Sequence, residues 1–216
     1  MKIGVFDSGI GGKAVAARLA ELLPEAEIMS VDDHAHVPYG SRSKAEIIEL
    51  SGRAIQPLID ADCDVIVIAC NTATTVAISA LRTANPDVPF VGIEPMIKPA
   101  AELTKTKTIA VLATPGTLAS ERYAELKTLW GKNITILEPD CHDWATLIEN
   151  NQTAAIPLEE TLHKMVTQRA DVIVLACTHY HYLKQRAIAA VGKKITILEP
   201  SDAIARRIKT IVSLAD

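Results

Sequence analysis

The stretch Asp171 to Tyr180 reads DVIVLACTHY, and Asp64 to Ala73 reads DVIVIACNTA. Each begins with an acidic residue, continues through a short apolar run rich in β-branched residues, and reaches a cysteine followed by polar residues. A short apolar run without polar alternation predicts a parallel strand that is buried on both faces. Because ligands of open α/β sheets bind at the carboxyl ends of strands, Cys70 and Cys177 are each predicted at a binding edge.

The likeness between the two halves extends along the whole chain. The two cysteines lie 107 residues apart, and the predicted strands that end at Ser8 and Thr114 repeat at a spacing of 106 residues. Ile93-Glu94-Pro95 returns as Leu198-Glu199-Pro200 after 105 residues. Three matches at nearly one spacing predict a tandem duplication. We expect two similar α/β domains with mainly parallel sheets and an active site at their interface.

The domain boundaries follow from the same repeat. The first domain is expected to comprise residues 1–97 and 201–216, and the second residues 98–200. The last helix is predicted to return to the first domain, because chain ends lie close together in many domains.

Composition excludes several classes of protein. The chain has 216 residues, of which 49% are hydrophobic and 22% charged, and its net charge is −4. Lysine and arginine are scattered, so no nucleic acid partner is expected. No apolar stretch approaches the roughly 20 residues of a membrane helix, and a strand predicted from Ile3 leaves no room for a signal peptide. Four cysteines without a C-x-x-C pair favour reduced thiols and a cytoplasmic location.

A glycine turn after the first strand offers an alternative function. Gly9, Gly11 and Ala14 fit the pattern G-x-G-x-x-A, and Asp32-Asp33 follows about twenty residues on, as in dinucleotide-binding proteins. However, Asp7 directly precedes the turn, where its carboxylate would repel a pyrophosphate. The second half also keeps the cysteine but not the glycines. A nucleotide-binding α/β protein is therefore the second hypothesis.

No metal site is predicted. His34 and His36 lie in a polar loop, and H-x-H alone is a weak metal signal, so a solvated loop is the preferred interpretation. Cys63 and Cys141 have no counterpart in the other half, and we interpret both as structural.

The paired cysteines, Cys70 and Cys177, admit four kinds of chemistry. A structural zinc site needs more ligands at short spacing, and a redox disulfide normally needs a neighbouring resolving cysteine. A cysteine hydrolase needs only one thiol. Two acid/base thiols on opposite faces of a substrate carbon would give both cysteines a role. One removes a proton, and the other returns one to the far side, which inverts the centre.

Six motifs resemble the glutamate racemases, in the same order and over essentially the whole chain. They are Asp7-Ser8-Gly9-Ile10-Gly11-Gly12, Pro38-Tyr39-Gly40, Ala69-Cys70-Asn71-Thr72-Ala73, Gly92-Ile93-Glu94-Pro95, Ala113-Thr114-Pro115-Gly116-Thr117 and Cys177-Thr178-His179-Tyr180. The resemblance implies cofactor-independent racemisation of L- and D-glutamate by a cytoplasmic homodimer, which supplies D-glutamate for peptidoglycan.

The resemblance also implies the catalytic residues. Cys70 is the implied base for D-glutamate, with Asp7 as its helper. Cys177 is the implied base for L-glutamate, with His179 as its helper and Glu149 as a third assisting group. No lysine motif for pyridoxal phosphate is evident, so we expect no cofactor, and the developing carbanion must be stabilised electrostatically.

Substrate binding is expected to use donors rather than bulk positive charge. The hydroxyl and amide donors are Ser8, Asn71, Thr72, Thr114, Thr117 and Thr178, and Asp7 and His179 complete the set. Pro38, Tyr39 and Gly40 match the family's substrate loop. A racemase for aspartate or another acidic amino acid remains an alternative.

The chain departs from the family pattern in a few places. His181 and His142 stand where the family usually has proline, and the chain looks short around residues 150–157 and at its carboxyl end. These departures affect the turn after Cys177, dimer packing and regulation.

Overall fold

The computed structural model describes residues 1–212, which form two compact units. Unit 1 comprises Met1–Glu94 together with the segment from Pro200 onward, and unit 2 comprises Pro95–Glu199. The chain therefore leaves unit 1 and re-enters it, and each passage lies at a Glu-Pro dipeptide of the repeat.

Strands and helices alternate in both units. Unit 1 contains β1 (Lys2–Asp7), α1 (Gly11–Leu22), β2 (Glu27–Asp32), α2 (Lys44–Asp60), β3 (Val65–Ile68), α3 (Asn71–Ala84), β4 (Phe90–Gly92) and α10 (Ser201–Val212). Unit 2 contains α4 (Ile97–Leu103), β5 (Thr108–Leu112), α5 (Pro115–Leu118), α6 (Glu121–Trp130), β6 (Thr135–Leu137), α7 (Trp144–Glu149), α8 (Leu158–Thr167), β7 (Val172–Leu175), α9 (Lys184–Val191) and β8 (Thr196–Leu198). Short 3-10 helices span His34–His36, Tyr39–Ser41, Thr153–Ala155 and Thr178–Leu183.

Each unit has a four-stranded sheet whose strand pairs are all parallel. The strand order is β2-β1-β3-β4 in unit 1 and β6-β5-β7-β8 in unit 2. The two orders are equivalent, strand for strand. The expected α/β fold with two similar parallel sheets is confirmed, and the common topology is consistent with duplication.

The sheet of unit 1 is covered on both faces. One face places Ile3, Val5, Val65 and Val67 against apolar residues of α1 and α10. The opposite face places Phe6, Ile66 and Ile68 against α2 and α3. Every residue of β3 is buried, as its unbroken apolar run predicts.

The sheet of unit 2 has the same internal pattern. Ile109, Val111, Val172 and Val174 pack against buried residues of α4 and α6, including Tyr123. Every residue of β7 is buried. The two cysteine strands are thus the inner strands of equivalent layered sheets.

The aspartate that begins each cysteine strand fixes the neighbouring segment. Asp64 accepts a hydrogen bond from the backbone N–H of Lys2 at 2.7 Å, at the start of β1. Asp171 accepts from the backbone N–H groups of Lys105 and Thr106 at 2.8 and 3.0 Å, ahead of β5. The acidic starts of the two repeated stretches therefore satisfy backbone donors that precede or open the adjacent strand.

The long helix α2 begins with a capping box. Ser43 accepts from the backbone N–H of Glu46, whose carboxylate in turn accepts from the backbone N–H of Ser43 at 3.0 Å. This arrangement fixes where the chain enters the helix after the loop that follows β2. Across residues 1–212, helices long and apolar enough to cross a membrane are absent.

Candidate active site

In unit 1 the predicted groups meet at the carboxyl edge of the sheet. β1 and β3 are parallel neighbours with Phe6 opposite Ile68, and the backbone N–H of Ala69 donates to the carbonyl of Phe6 at 2.6 Å. Asp7 and Cys70 therefore follow at the ends of adjacent strands. This is the edge at which parallel α/β sheets hold ligands.

Cys70 is the N-cap of the 14-residue helix α3. Its Sγ accepts from the Ser8 hydroxyl at 3.2 Å and from the backbone N–H of Ala73 at 3.4 Å. Both contacts, together with the positive end of the helix dipole, stabilise a thiolate more than a thiol. The buried sulfur thus lies where it can hold negative charge.

Asp7 is completely buried and fixed by the glycine turn. Its Oδ2 accepts from the backbone N–H of Gly12 at 2.9 Å and of Gly9 at 3.3 Å. A Cβ at Gly12 would lie only 2.5 Å from the Cβ of Asp7, so glycine is required for the close approach of α1. Because the chain's own carboxylate occupies these donors, the turn is poorly suited to a pyrophosphate, which weakens the nucleotide-binding alternative.

Asn71 gives an independent sign of a ligand beside Cys70. Its side chain is buried, and neither Nδ2 nor Oδ1 has a hydrogen-bond partner among the described residues. Leaving a buried amide unpaired costs about 1–3 kcal/mol, so such groups call for a partner that the polypeptide does not supply. Thr72, next along the helix, is also buried.

The loop after β2 places Tyr39 in the core of unit 1. Tyr39 is 1% exposed and packs in the same cluster as Cys70. Its hydroxyl donates to Asp33 at 2.7 Å, and Asp33 also contacts Nδ1 of His36 at 2.6 Å. Burial and the bond to Asp33 raise the pKa of Tyr39 well above its usual value, so the phenol stays neutral. Gly40, which follows in the 3-10 helix, is exposed.

Asp33 is a positioning group that the sequence did not reveal in this role. The sequence suggested Asp33 only as part of a nucleotide-binding pattern, whereas the structure shows it accepting a hydrogen bond from the Tyr39 hydroxyl. Its place directly after a strand, at the same edge as Asp7, was the available signal. Pro38 precedes the 3-10 helix of this loop in an extended conformation.

In unit 2 the groups around Cys177 form a short relay. His179 places Nδ1 3.6 Å from Sγ of Cys177 and Nε2 2.5 Å from Oε1 of Glu149. All three side chains are buried or nearly so. A carboxylate on Nε2 favours the neutral tautomer whose Nδ1 is free to accept, so the imidazole can take the thiol proton.

The remaining predicted groups of unit 2 lie on neighbouring elements. Thr114 caps α5, and its hydroxyl lies 3.1 Å from the hydroxyl of Thr117. Thr178 is buried at the start of a 3-10 helix. Since β5 and β7 are adjacent and parallel, the ends that bear Thr114 and Cys177 share one sheet edge.

Cys141 is hydrogen-bonded to Tyr180, a residue of the 3-10 helix that follows Cys177. The hydroxyl of Tyr180 donates to the backbone carbonyl of Cys141 at 3.2 Å, and its ring makes an edge contact with Trp144 at 5.7 Å. Burial, followed by nearby negative charges that include Cys177, raises the pKa of Cys141 to about 12. Cys141 therefore stays a thiol.

Taken together, each unit presents one cysteine with its own means of handling a proton. Residues 12–208 match the family model for Asp/Glu/hydantoin racemases. The chain belongs to the Asp/Glu/hydantoin racemase family. The racemase is 38% identical to a glutamate racemase of Sulfurovum sp. over 96% of this chain and 81% of that protein. It is 36% identical to the Pseudomonas aeruginosa glutamate racemase, over 98% and 81% of the two chains.

Solved structures give the same picture. The racemase superposes on Escherichia coli glutamate racemase with a TM-score of 0.84 and 31% identity, covering 98% of this chain and 82% of that one. That structure holds L-glutamate and the activator UDP-MurNAc-ala. Glutamate racemase from Bacillus anthracis gives a TM-score of 0.82 and 30% identity over 99% and 82% of the chains. These relationships confirm the expected family and show that the protein is an amino-acid racemase, an isomerase.

Proposed function

We propose that this racemase interconverts L- and D-glutamate without a cofactor, with Cys70 and Cys177 as the two acid/base groups. One observation carries the proposal. The cysteines end equivalent inner strands of two equivalent sheets, and each has its own proton-handling neighbours. A one-thiol chemistry leaves one of these two sites unused.

In the L-to-D direction, the Cys177 thiolate removes the α-proton of L-glutamate. The C–H bond breaks, an S–H bond forms, and the electron pair stays on the α-carbon as a carbanion. The Cys70 thiol then delivers its proton to the opposite face, which yields D-glutamate and a Cys70 thiolate. The reverse reaction exchanges the two roles, and the mechanism requires both thiols to reach one α-carbon.

The proposed helpers differ between the two thiols. In unit 2, His179 accepts or returns the Cys177 proton while Glu149 holds the ring. In unit 1, Asp7 is proposed to assist Cys70 from the neighbouring strand end. Helix donors also stabilise the carbanion, because the first amides of α3 lie beside the reacting thiol.

The substrate groups are assigned to the donors at the two sheet edges. We assign the amide of Asn71, together with Ser8, Thr72, Thr114, Thr117 and Thr178, to the carboxylates and amine of glutamate, with the Pro38–Gly40 loop on the Cys70 side. The orphaned amide of Asn71 supports this assignment most directly. Aspartate is the second candidate substrate, since the matching family model is that of Asp/Glu/hydantoin racemases.

The biological role, location and oligomeric state are also proposals. Production of D-glutamate for peptidoglycan, a cytoplasmic location and a homodimer follow from the likeness to glutamate racemases. Four buried cysteines that form no disulfide fit a reducing compartment. Light scattering on the purified protein tests the dimer.

The decisive experiment follows the α-proton in deuterated buffer. L- and D-glutamate are each incubated with the enzyme, with NMR recording loss of the α-hydrogen and circular dichroism recording loss of optical activity. We expect both changes for both enantiomers without any added cofactor. Exchange with aspartate but not glutamate would keep the mechanism and change the substrate.

Single-cysteine variants test the two thiols. Cys70→Ser and Cys177→Ser are each expected to lower racemisation by at least about 1000-fold, because each removes a general acid/base. Cys63→Ser, which changes a buried cysteine away from the sheet edge, is the matched control and should racemise normally. Full turnover by either of the first two variants would refute the two-thiol mechanism.

A further inference from the structure

Three buried or half-buried ionisable groups lie beside the Cys177 site and have no part in the reaction described above. His181 and Glu199 have side chains that are 8% and 3% exposed, and Lys184 is 31% exposed. Nε2 of His181 faces Oε2 of Glu199 at 3.5 Å, close enough for an ion pair but not aligned as a hydrogen bond. Nζ of Lys184 donates to the other carboxylate oxygen, Oε1, at 3.3 Å.

The position of His181 links this cluster to the site. His181 belongs to the 3-10 helix Thr178–Leu183, which begins immediately after Cys177 and carries His179. In a 3-10 helix, side chains three residues apart lie on the same face. His181 therefore lies on the same face of this helix as Thr178, whereas His179 contacts Glu149.

Glu199 anchors the other side of the contact. It directly follows β8, which is hydrogen-bonded to the cysteine strand β7. Glu199 is also the last residue of unit 2. A contact between His181 and Glu199 thus ties the helix that presents Thr178 and His179 to the end of a rigid strand.

We propose that His181 is a positioning residue for the racemisation site, which acts through its contact with Glu199 to hold Thr178 and His179 in place behind Cys177. This inference rests on the proposed roles of those residues. Neither His181 nor Glu199 touches the reacting atoms in this account. A displacement of about 1 Å at a catalytic group can cost about 100-fold in rate, so a small shift of this short 3-10 helix is enough to matter.

The charges around His181 support the same arrangement. Burial lowers the pKa of His181, while the carboxylate of Glu199 opposes that shift and Lys184 adds to it. The charged groups that act on the ring are Glu199 at the end of β8 and Lys184 on α9. Burial, the largest influence, favours the neutral form of the ring, which then meets Glu199 as a buried polar contact.

Kinetics of three variants test the proposal. His181→Ala is expected to lower kcat about tenfold while KM changes less than about threefold, because the residue positions groups without binding substrate. His181→Gln, which retains an N–H donor toward Glu199, is expected to recover most of that loss. His163→Ala, which changes an exposed histidine of the same unit, is the matched control and should leave kcat unchanged.

A double-mutant cycle separates positioning from general stability. Glu199→Gln and His181→Ala should be clearly non-additive in kcat, since either one breaks the same contact. NMR titration of His181 gives a readout independent of activity: Glu199→Gln should lower its pKa further, and Lys184→Met should raise it.

The outcomes distinguish this inference from the proposed function. Additive effects on kcat, or a fall in unfolding temperature with unchanged kcat in His181→Ala, would overturn the positioning role. An unchanged His181 titration in Glu199→Gln would also overturn it, because the contact would then be absent in solution. Full activity of Cys177→Ser would instead refute the two-thiol mechanism, whatever the titration shows.

Discussion

The two cysteine sites lie at equivalent points of equivalent sheets, yet they stabilise a thiolate in different ways. Cys70 caps a 14-residue helix and receives a hydroxyl and a backbone N–H. Cys177 precedes a six-residue 3-10 helix and makes no side-chain cap bond to it. It faces instead an imidazole that is backed by a carboxylate.

The difference shows what duplication preserves and what it leaves free. Strand, cysteine and sheet order are kept, because they place the sulfur at the ligand-binding edge. The polar groups around each sulfur are supplied locally, by a hydroxyl, a backbone N–H and a helix start in unit 1 and by an imidazole backed by a carboxylate in unit 2. The unit 1 site should therefore tolerate loss of a single side chain better than the unit 2 site does.

Among the groups proposed to assist the two cysteines, the largest effect is expected for His179. Replacing the imidazole by glutamine removes the group proposed to exchange a proton with Cys177, so His179→Gln should lower kcat about 100-fold. Ser8→Ala removes one of several donors to Cys70 and should lower kcat only about threefold, because the backbone N–H of Ala73 and the helix dipole remain. Steady-state racemisation followed by circular dichroism measures both.

Equal losses in these two variants would contradict the comparison. Glu149→Gln provides a check within unit 2, since an amide can still hold the ring but no longer favours the imidazolium. We expect a loss intermediate between those of His179→Gln and Ser8→Ala.

A smaller effect is expected where α1 approaches Asp7. A Cβ at Gly12 would come within 2.5 Å of Asp7 Cβ, so Gly12→Ala must displace either the carboxylate or the helix. We expect kcat about tenfold lower, since Asp7 is a proposed helper of Cys70. Gly52→Ala is the matched control: its Cβ would have 4.0 Å of clearance, and alanine in the interior of α2 should add up to about 1 kcal/mol of stability.

Both cysteine strands, the helix that starts at Asn71 and the capping role of Ser43 could be predicted from the sequence. Unbroken β-branched runs and N-cap residues are local signals, and the repeat showed that one fold occurs twice. The strand pattern Pro89–Ile93 extends one residue beyond β4 (Phe90–Gly92) at each end. Both flanking residues still bond to β3, since the carbonyl of Pro89 accepts from the N–H of Ile66 at 2.9 Å and the N–H of Ile93 donates to the carbonyl of Ile68 at 3.1 Å.

The contacts that build the site were less predictable. The link from Asp33 to Tyr39 joins side chains whose meeting depends on the path of a loop, and no periodicity encodes it. The pairing of His181 with Glu199 likewise joins residues that follow two neighbouring strands, β7 and β8. Glu149 and His179 lie 30 residues apart in the sequence, and their spacing gave no reason to pair them. Only the family resemblance placed both residues in the site.

The smallest effect on activity is expected for Cys141, the second cysteine of unit 2. Because burial raises its pKa to about 12, it cannot serve as a thiolate base near neutral pH, and Cys141→Ser should racemise within about twofold of the unchanged enzyme. Its raised pKa stabilises the fold below the ordinary value of 9.0, and that contribution is lost as pH rises from 9.0 toward 12. Chemical denaturation should therefore show unfolding free energy falling less steeply above pH 9 in Cys141→Ser than in the unchanged protein. Identical pH slopes of the unfolding free energy in the two proteins would mean that the Cys141 thiol ionises freely in the folded state. Loss of racemisation in Cys141→Ser would mean that Cys141 takes part in the reaction, and a mechanism of Cys70 and Cys177 alone would then be wrong.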